Sequence, residues 1–217
     1  MKLRFSLIVA ATLICSAFCH AQIFYKISGN GLEKPSYLFG THHLAPLSTI
    51  DSVAGVRPAF TDCTAVVGEI DMTVPQMQLA MAMQPFMMAP SDSLLTDVIE
   101  PEVFKRINEK FKSLAIMPGL DLNALAMMRP MVPSSMVSVT VIKKLMPGFN
   151  ENEQLDKYFQ EQGKKEGKSV IPLETPELQA KLLYTFTPIE EQAKNLVELL
   201  DNLSLIHISE PTRHSLI

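Results

Sequence analysis

Ser36-Tyr37-Leu38-Phe39-Gly40-Thr41-His42-His43 is the stretch on which the fold turns. Tyr37, Leu38 and Phe39 form a short apolar run bounded by a glycine, the pattern of a buried strand. Gly40 lets the backbone approach a neighbour or a ligand closely. The two histidines then emerge where the strand ends, which is where open α/β sheets keep their sites.

On the N-terminal side, apolar residues alternate over 23–28 and Gly29-Asn30-Gly31 turns the chain, so the two runs predict a β-hairpin. On the C-terminal side the spacing predicts a helix over 51–60, capped by Thr49 or Asp51, and a buried strand over 65–69 that ends in Glu69-Ile70-Asp71. The composition then shifts: apart from Met1, every methionine lies between Met72 and Met146. Helices are expected there over 75–88, 101–114, 122–128 and 132–145, separated by Pro90, Pro118-Gly119 and Pro147-Gly148. Methionine fills irregular apolar surfaces, so this insertion reads either as a helical core or as a substrate groove or lid. The remainder reads helix 152–166, strand 169–173, helix 176–184 and a final helix from Thr187 or Pro188 to about residue 200. Strands alternating with helices predict an α/β fold with a mostly parallel or mixed sheet flanked by helices.

Both ends read as something other than fold. Lys2 and Arg4 precede an apolar run to Phe18, and Cys19-His20-Ala21 precedes Gln22, the layout of a secretory signal peptide over 1–21. A lipid on Cys19 is the alternative, with Phe18 a poor fit to the small residue expected before it. Residues 203–217 resemble translated sequencing-adapter read-through, the alternative being a natural amphipathic tail; with read-through, 22–202 is an incomplete domain. An incomplete sheet would leave an open edge and favour poor solubility. Without both ends the net charge goes from −4 to −6, only His42 and His43 remain of the five histidines, and only Cys63 of the three cysteines. An acidic chain without a basic stripe does not suit nucleic acid. A single cysteine makes neither an internal disulfide nor a cysteine metal cluster. No stretch reaches the ~20 apolar residues of a membrane span. The expected location is therefore exported, periplasmic or secreted, in an oligomeric state the sequence leaves open.

If the strands run parallel, His42 and His43, then Glu69 and Asp71, then Glu174 arrive at one rim of the sheet. Imidazole with carboxylates suits zinc, manganese or cobalt, and such an ion acidifies a bound water for hydrolysis. Adjacent side chains on extended backbone point to opposite sides, so one of His42 and His43 is expected to face the site and the other to support it. The plainer alternative is that the histidines bond loop carbonyls and Glu69 caps a helix.

Four motifs taken in order carry a family resemblance: residues 36–44, Gly68-Glu69-Ile70-Asp71, Gln154-Leu155-Asp156-Lys157-Tyr158-Phe159, and residues 167–175 with Gln179. Together they resemble the TraB/GumN family, which is related to the Tiki metalloproteases and more distantly to erythromycin esterases and the haem-binding ChaN-like proteins. The resemblance spans about residues 23 to 200 and implies a metal-dependent hydrolase in which a Gly-x-x-His motif and a glutamate serve the active site. Gly40-Thr41-His42-His43 matches that motif, so the resemblance gives His43 the ligand role and Glu69 the role of ligand or general base, with His42 as a further metal candidate and Gly40, Asp71 and Glu174 in support. The family's second Gly-x-x-His motif is absent, which implies weak metal binding and little catalysis by this chain alone. Three functions follow: an exported metal-dependent hydrolase acting on a peptide or small apolar substrate; a haem or apolar-ligand binder with His42 or His43 as axial contact; and a non-catalytic envelope protein.

Overall fold

The computed structural model describes residues 23–146, 150 and 153–207, with 204–207 described by backbone alone; the expected signal segment 1–21 and residues 208–217 of the expected tail lie outside. Its elements in chain order are β1 (Phe24–Ile27), β2 (Ser36–Phe39), α1 (Thr49–Ser52), α2 (Val56–Asp62), β3 (Ala65–Gly68), α3 (Gln76–Met87), α4 (Leu95–Val98), α5 (Pro101–Ser113), α6 (Met131–Leu145), α7 (Leu155–Lys165), β4 (Ser169–Pro172), α8 (Pro176–Thr185) and α9 (Ile189–His207).

The expected hairpin forms: β1 and β2 pair antiparallel, with Phe24 opposite Phe39 and Ile27 opposite Ser36. β3 and β4 pair parallel, Val66 opposite Val170. The expected continuous sheet does not form, because the described strands make two separate two-stranded sheets and β2 has no ladder with β3. Both strands line a cavity of about 460 Å³, together with Val56, Phe60 and Phe159. Side chains rather than backbone join the sheets. Phe159 meets Phe39 edge-on at 5.7 Å and Phe60 at 5.4 Å between ring centroids, within the range of favourable aromatic pairs. Tyr25, Leu38, Val67 and Ile171, on the faces turned away from α7, stay exposed.

α7 lies on β3 at close range. A Cβ on Gly163 would stand 2.7 Å from Val66 Cγ2, and one on Gly68 would overlap Gln160 Nε2. Gln160 is fully buried, its Nε2 donating to Ile70 O at 3.0 Å and its Oε1 accepting from Met72 N at 2.8 Å. A buried amide satisfied at both ends adds specificity that an apolar contact lacks. The same helix buries Leu155 against Ile50 and Val56.

Two expected helices differ. The one over 51–60 is broken into α1 and α2 by Gly55, whose φ of +89° lies in the left-handed region. Residues 122–128 form consecutive turns, with Leu125 N bonded to Leu122 O and Ala126 N to Asn123 O. There Asn108 Oδ1 takes Leu122 N and Asp121 Oδ1 takes Ala124 N as an N-cap would, but Ala126 O and Met127 O then accept from Leu95 N and Ala89 N of the preceding segment rather than from a further helical turn. α9 continues past Asn202, and Leu203 is buried beside Leu200.

The Met-rich region has a core of other residues. Leu95, Ile107, Phe111, Leu122, Val137, Leu196 and Leu200 fill the space among α4, α5, α6 and α9. Among the described residues no methionine is fully buried; several line the joint of α3, α6 and α8 around Ala180 and Tyr184, and Met77 and Met81 face outward. At the rim of the main core, Asp201 of α9 receives Lys110 Nζ at 2.7 Å and Arg106 Nη2 at 2.8 Å from α5.

Three outcomes follow from this packing. Gly→Ala inside an open helix stabilises by up to ~1 kcal/mol, whereas Gly163→Ala here lowers stability by about 1–3 kcal/mol through overpacking; urea unfolding that shows a gain contradicts the α7–β3 contact. Gln160→Leu leaves Ile70 O and Met72 N unpaired and costs about 1–3 kcal/mol for each buried group, and an unchanged urea midpoint contradicts it. Hydrogen bonding from Lys110, with Arg106 beside it, holds the Asp201 carboxyl below the usual carboxylate range. A lowered folded pKa gives stability that is present above the unfolded value of ~3.9 and lost as pH falls through the folded one. Asp201→Asn therefore flattens the acid limb of the stability profile below about pH 4, and an identical limb contradicts the assignment.

Candidate functional site

Beyond Gly40 the chain leaves the hairpin and turns: Ala45 N donates to His42 O at 2.8 Å, and Leu44 N donates to His42 Nδ1 at 3.2 Å. His42 is thereby folded back onto its own loop. His43 points the other way, its Nδ1 3.5 Å from Asp156 Oδ2 in the first turn of α7. Thr41 Oγ1 donates to the other oxygen, Asp156 Oδ1, at 2.7 Å. A Cβ added at Gly40 would make only ordinary contact, 3.5 Å from Ile23 O, so the packing of the hairpin does not itself require glycine there.

After β3 the parallel pairing runs on for a step, with Glu174 N donating to Glu69 O at 2.8 Å. That bond ties the two strand ends and accounts for the backbone of Glu174. The Glu69 carboxylate is exposed and accepts from Gln179 Nε2 of α8 at 2.8 Å. Asp71 Oδ1 accepts from Thr73 N at 2.8 Å and Thr73 Oγ1 at 2.6 Å, a local turn that occupies this carboxylate.

A pocket of about 360 Å³ brings His43, Glu69, Asp156, Gln154, Gln160 and Gln179 onto one lining, with Leu44, Ile70, Met72 and Val139 as its apolar part. Of the sequence candidates, His43 and Glu69 share this pocket, whereas His42, Gly40, Asp71 and Glu174 stand outside its lining. Two carboxylates and one imidazole share the lining, so the pocket favours a cation or a hydrogen-bond donor. A catalytic zinc uses three protein ligands, yet among the described residues no three His, Cys, Asp or Glu side chains are grouped to hold a metal ion. The donor set fits zinc, manganese or cobalt incompletely. Its chemical groups are an imidazole beside one carboxylate, with a second carboxylate held by an amide on the same lining.

Asp156, Gln160 and the contact of Gln179 with Glu69 escaped the reading of single motifs. The signal lay in the spacing of α7, where 156, 160 and 163 fall at i, i+4 and i+7 and so share the face turned toward the sheet.

No curated protein and no solved structure matches the chain. The chain does match the TraB/PrgY/gumN family over residues 23–208, a span that includes the hairpin, the Gly40 to His43 turn, Glu69 and all of α7. On that match, this chain belongs to the TraB/PrgY/gumN family.

Proposed function

We propose that the chain carries the His43 and Glu69 side of a hydrolytic site in an exported member of this family, with peptides as the substrate class. The observation that supports it most is the meeting on one pocket of His43 and Glu69, which follow strands of two different sheets, with Asp156 from the first turn of α7. In the hydrolysis proposed, His43 would serve as a donor to a divalent ion, and Glu69 as a second donor or as the base that takes a proton from the attacking water and returns it to the leaving amine. Zinc, manganese or cobalt is the cofactor that the family resemblance calls for. With His43 and Glu69 as its donors, and no third ligand grouped with them among the described residues, such an ion is held weakly. Export rests on the signal-like residues 1–21.

The haem alternative needs an imidazole facing an apolar cavity, and the larger cavity, with Phe24, Phe39, Phe60 and Phe159 in its wall, has neither histidine on its lining. The reading of a non-catalytic envelope protein predicts that His43→Ala changes nothing measurable.

Zinc titration of the 217-residue chain, followed by calorimetry, gives weak binding that His43→Ala and Glu69→Ala each weaken at least about tenfold, a loss of ~1.4 kcal/mol. Amine release from β-casein, assayed with each of the three metals, is slight in the wild-type chain and falls to background in both variants. Zinc binding that is equal in wild type and variants, or proteolysis that survives them, contradicts the proposed roles.

A further inference from the structure

We propose that Asp156 is the positioning residue for His43, fixing its ring orientation and its tautomer. This rests on reading His43 as a working residue, but the geometry stands independently of any activity. Thr41 Oγ1 donates to Oδ1 at 2.7 Å and so sets the plane of the carboxylate. The other oxygen, Oδ2, is buried and has no hydrogen-bond partner among the described residues, and His43 Nδ1 stands 3.5 Å from it. Burying a carboxylate oxygen without a donor is costly, so the pair is poised to close as an Nδ1–H donor on Oδ2. The His43 side chain is 64% exposed, so packing alone does little to hold its ring. The carboxylate supplies that restraint, as second-sphere carboxylates do for working histidines elsewhere.

The consequence is a pair of adjacent histidines in opposite tautomers. His43 carries its proton on Nδ1, toward Asp156, which leaves the Nε2 lone pair free for a proton or a ligand. His42 accepts Leu44 N–H at Nδ1 and so carries its proton on Nε2. The turn Gly40-Thr41-His42-His43 then has a role at three of its positions: Thr41 steadies Asp156, His42 closes the loop, and His43 is presented.

The test is long-range ¹H–¹⁵N correlation NMR on the full 217-residue chain with ¹⁵N-histidine, read on the alkaline plateau where the ring signals no longer move with pH. His42→Gln and His43→Gln assign the signals. In the wild type His43 is mainly the Nδ1–H form and His42 the Nε2–H form. In Asp156→Asn the His43 signal moves to a majority of Nε2–H, Thr41→Val moves it part of the way, and His42 keeps its tautomer, which reports that the loop is still folded. A wild-type His43 that is mainly Nε2–H overturns the proposal without any variant. So does an Asp156→Asn protein in which both signals keep their wild-type positions. Loss of hydrolysis in every assay with these tautomers intact removes the hydrolase reading and leaves the positioning role standing.

Discussion

The close approach of α7 to β3 is the constraint on which the rest of this structure depends. Gly163 brings the helix backbone down onto Val66, and Gly68 makes room for the Gln160 amide that bonds the turn after the strand. With the helix at that depth, Phe159 reaches both Phe39 of the hairpin and Phe60 of α2, and Asp156 reaches Thr41 and His43. Two small sheets that share no backbone ladder are thus placed by one helix. Two-stranded sheets are marginal by themselves, so the relative position of His43 and Glu69 depends on α7 more than on strand pairing.

How much of this could be read from residues alone divides along physical lines. The hairpin was legible because alternation and a Gly-Asn-Gly turn are local, and α8 because Thr175 and Pro176 mark its start; the Thr175 hydroxyl accepts from Leu178 N as a cap. The parallel pairing of β3 with β4 agrees with the pattern of alternating strands and helices. Whether β2 joins β3 was not legible, since strand adjacency depends on what fills the space between them, here the rings of Phe60 and Phe159 from distant parts of the chain. The segments 51–60 and 122–128 depart from continuous helix for reasons that periodicity does not weigh: a glycine at positive φ, and carbonyls of Ala126 and Met127 that accept from Leu95 N and Ala89 N instead of from a further helical turn.

The site shows the same division. The expectation that His43 and Glu69 would meet rested on one continuous sheet, whereas in the structure they share a pocket through the packing of α7 between two separate sheets. Which histidine faces which way was not legible either, because the turn beyond Gly40 departs from extended geometry and folds His42 onto Leu44 N. Asp71, an equal candidate on composition, is held by Thr73 in its own turn. Asp156 sits far from both strands in sequence and enters only through the packing of α7. The methionines, which suggest a soft core or a groove, flank a core of leucine, isoleucine and phenylalanine.

The central claim, that α7 binds the two sheets into one unit around the site, is most directly tested by native-state hydrogen exchange in low concentrations of urea. The account predicts that slow amides of α7, of β2 and of β3 open together, with the same free energy and the same urea dependence, as members of one cooperative unit. Exchange of the β1–β2 hairpin at a distinctly lower free energy, while α7 and β3 stay protected, would contradict it and would detach His43 from the frame that holds Glu69.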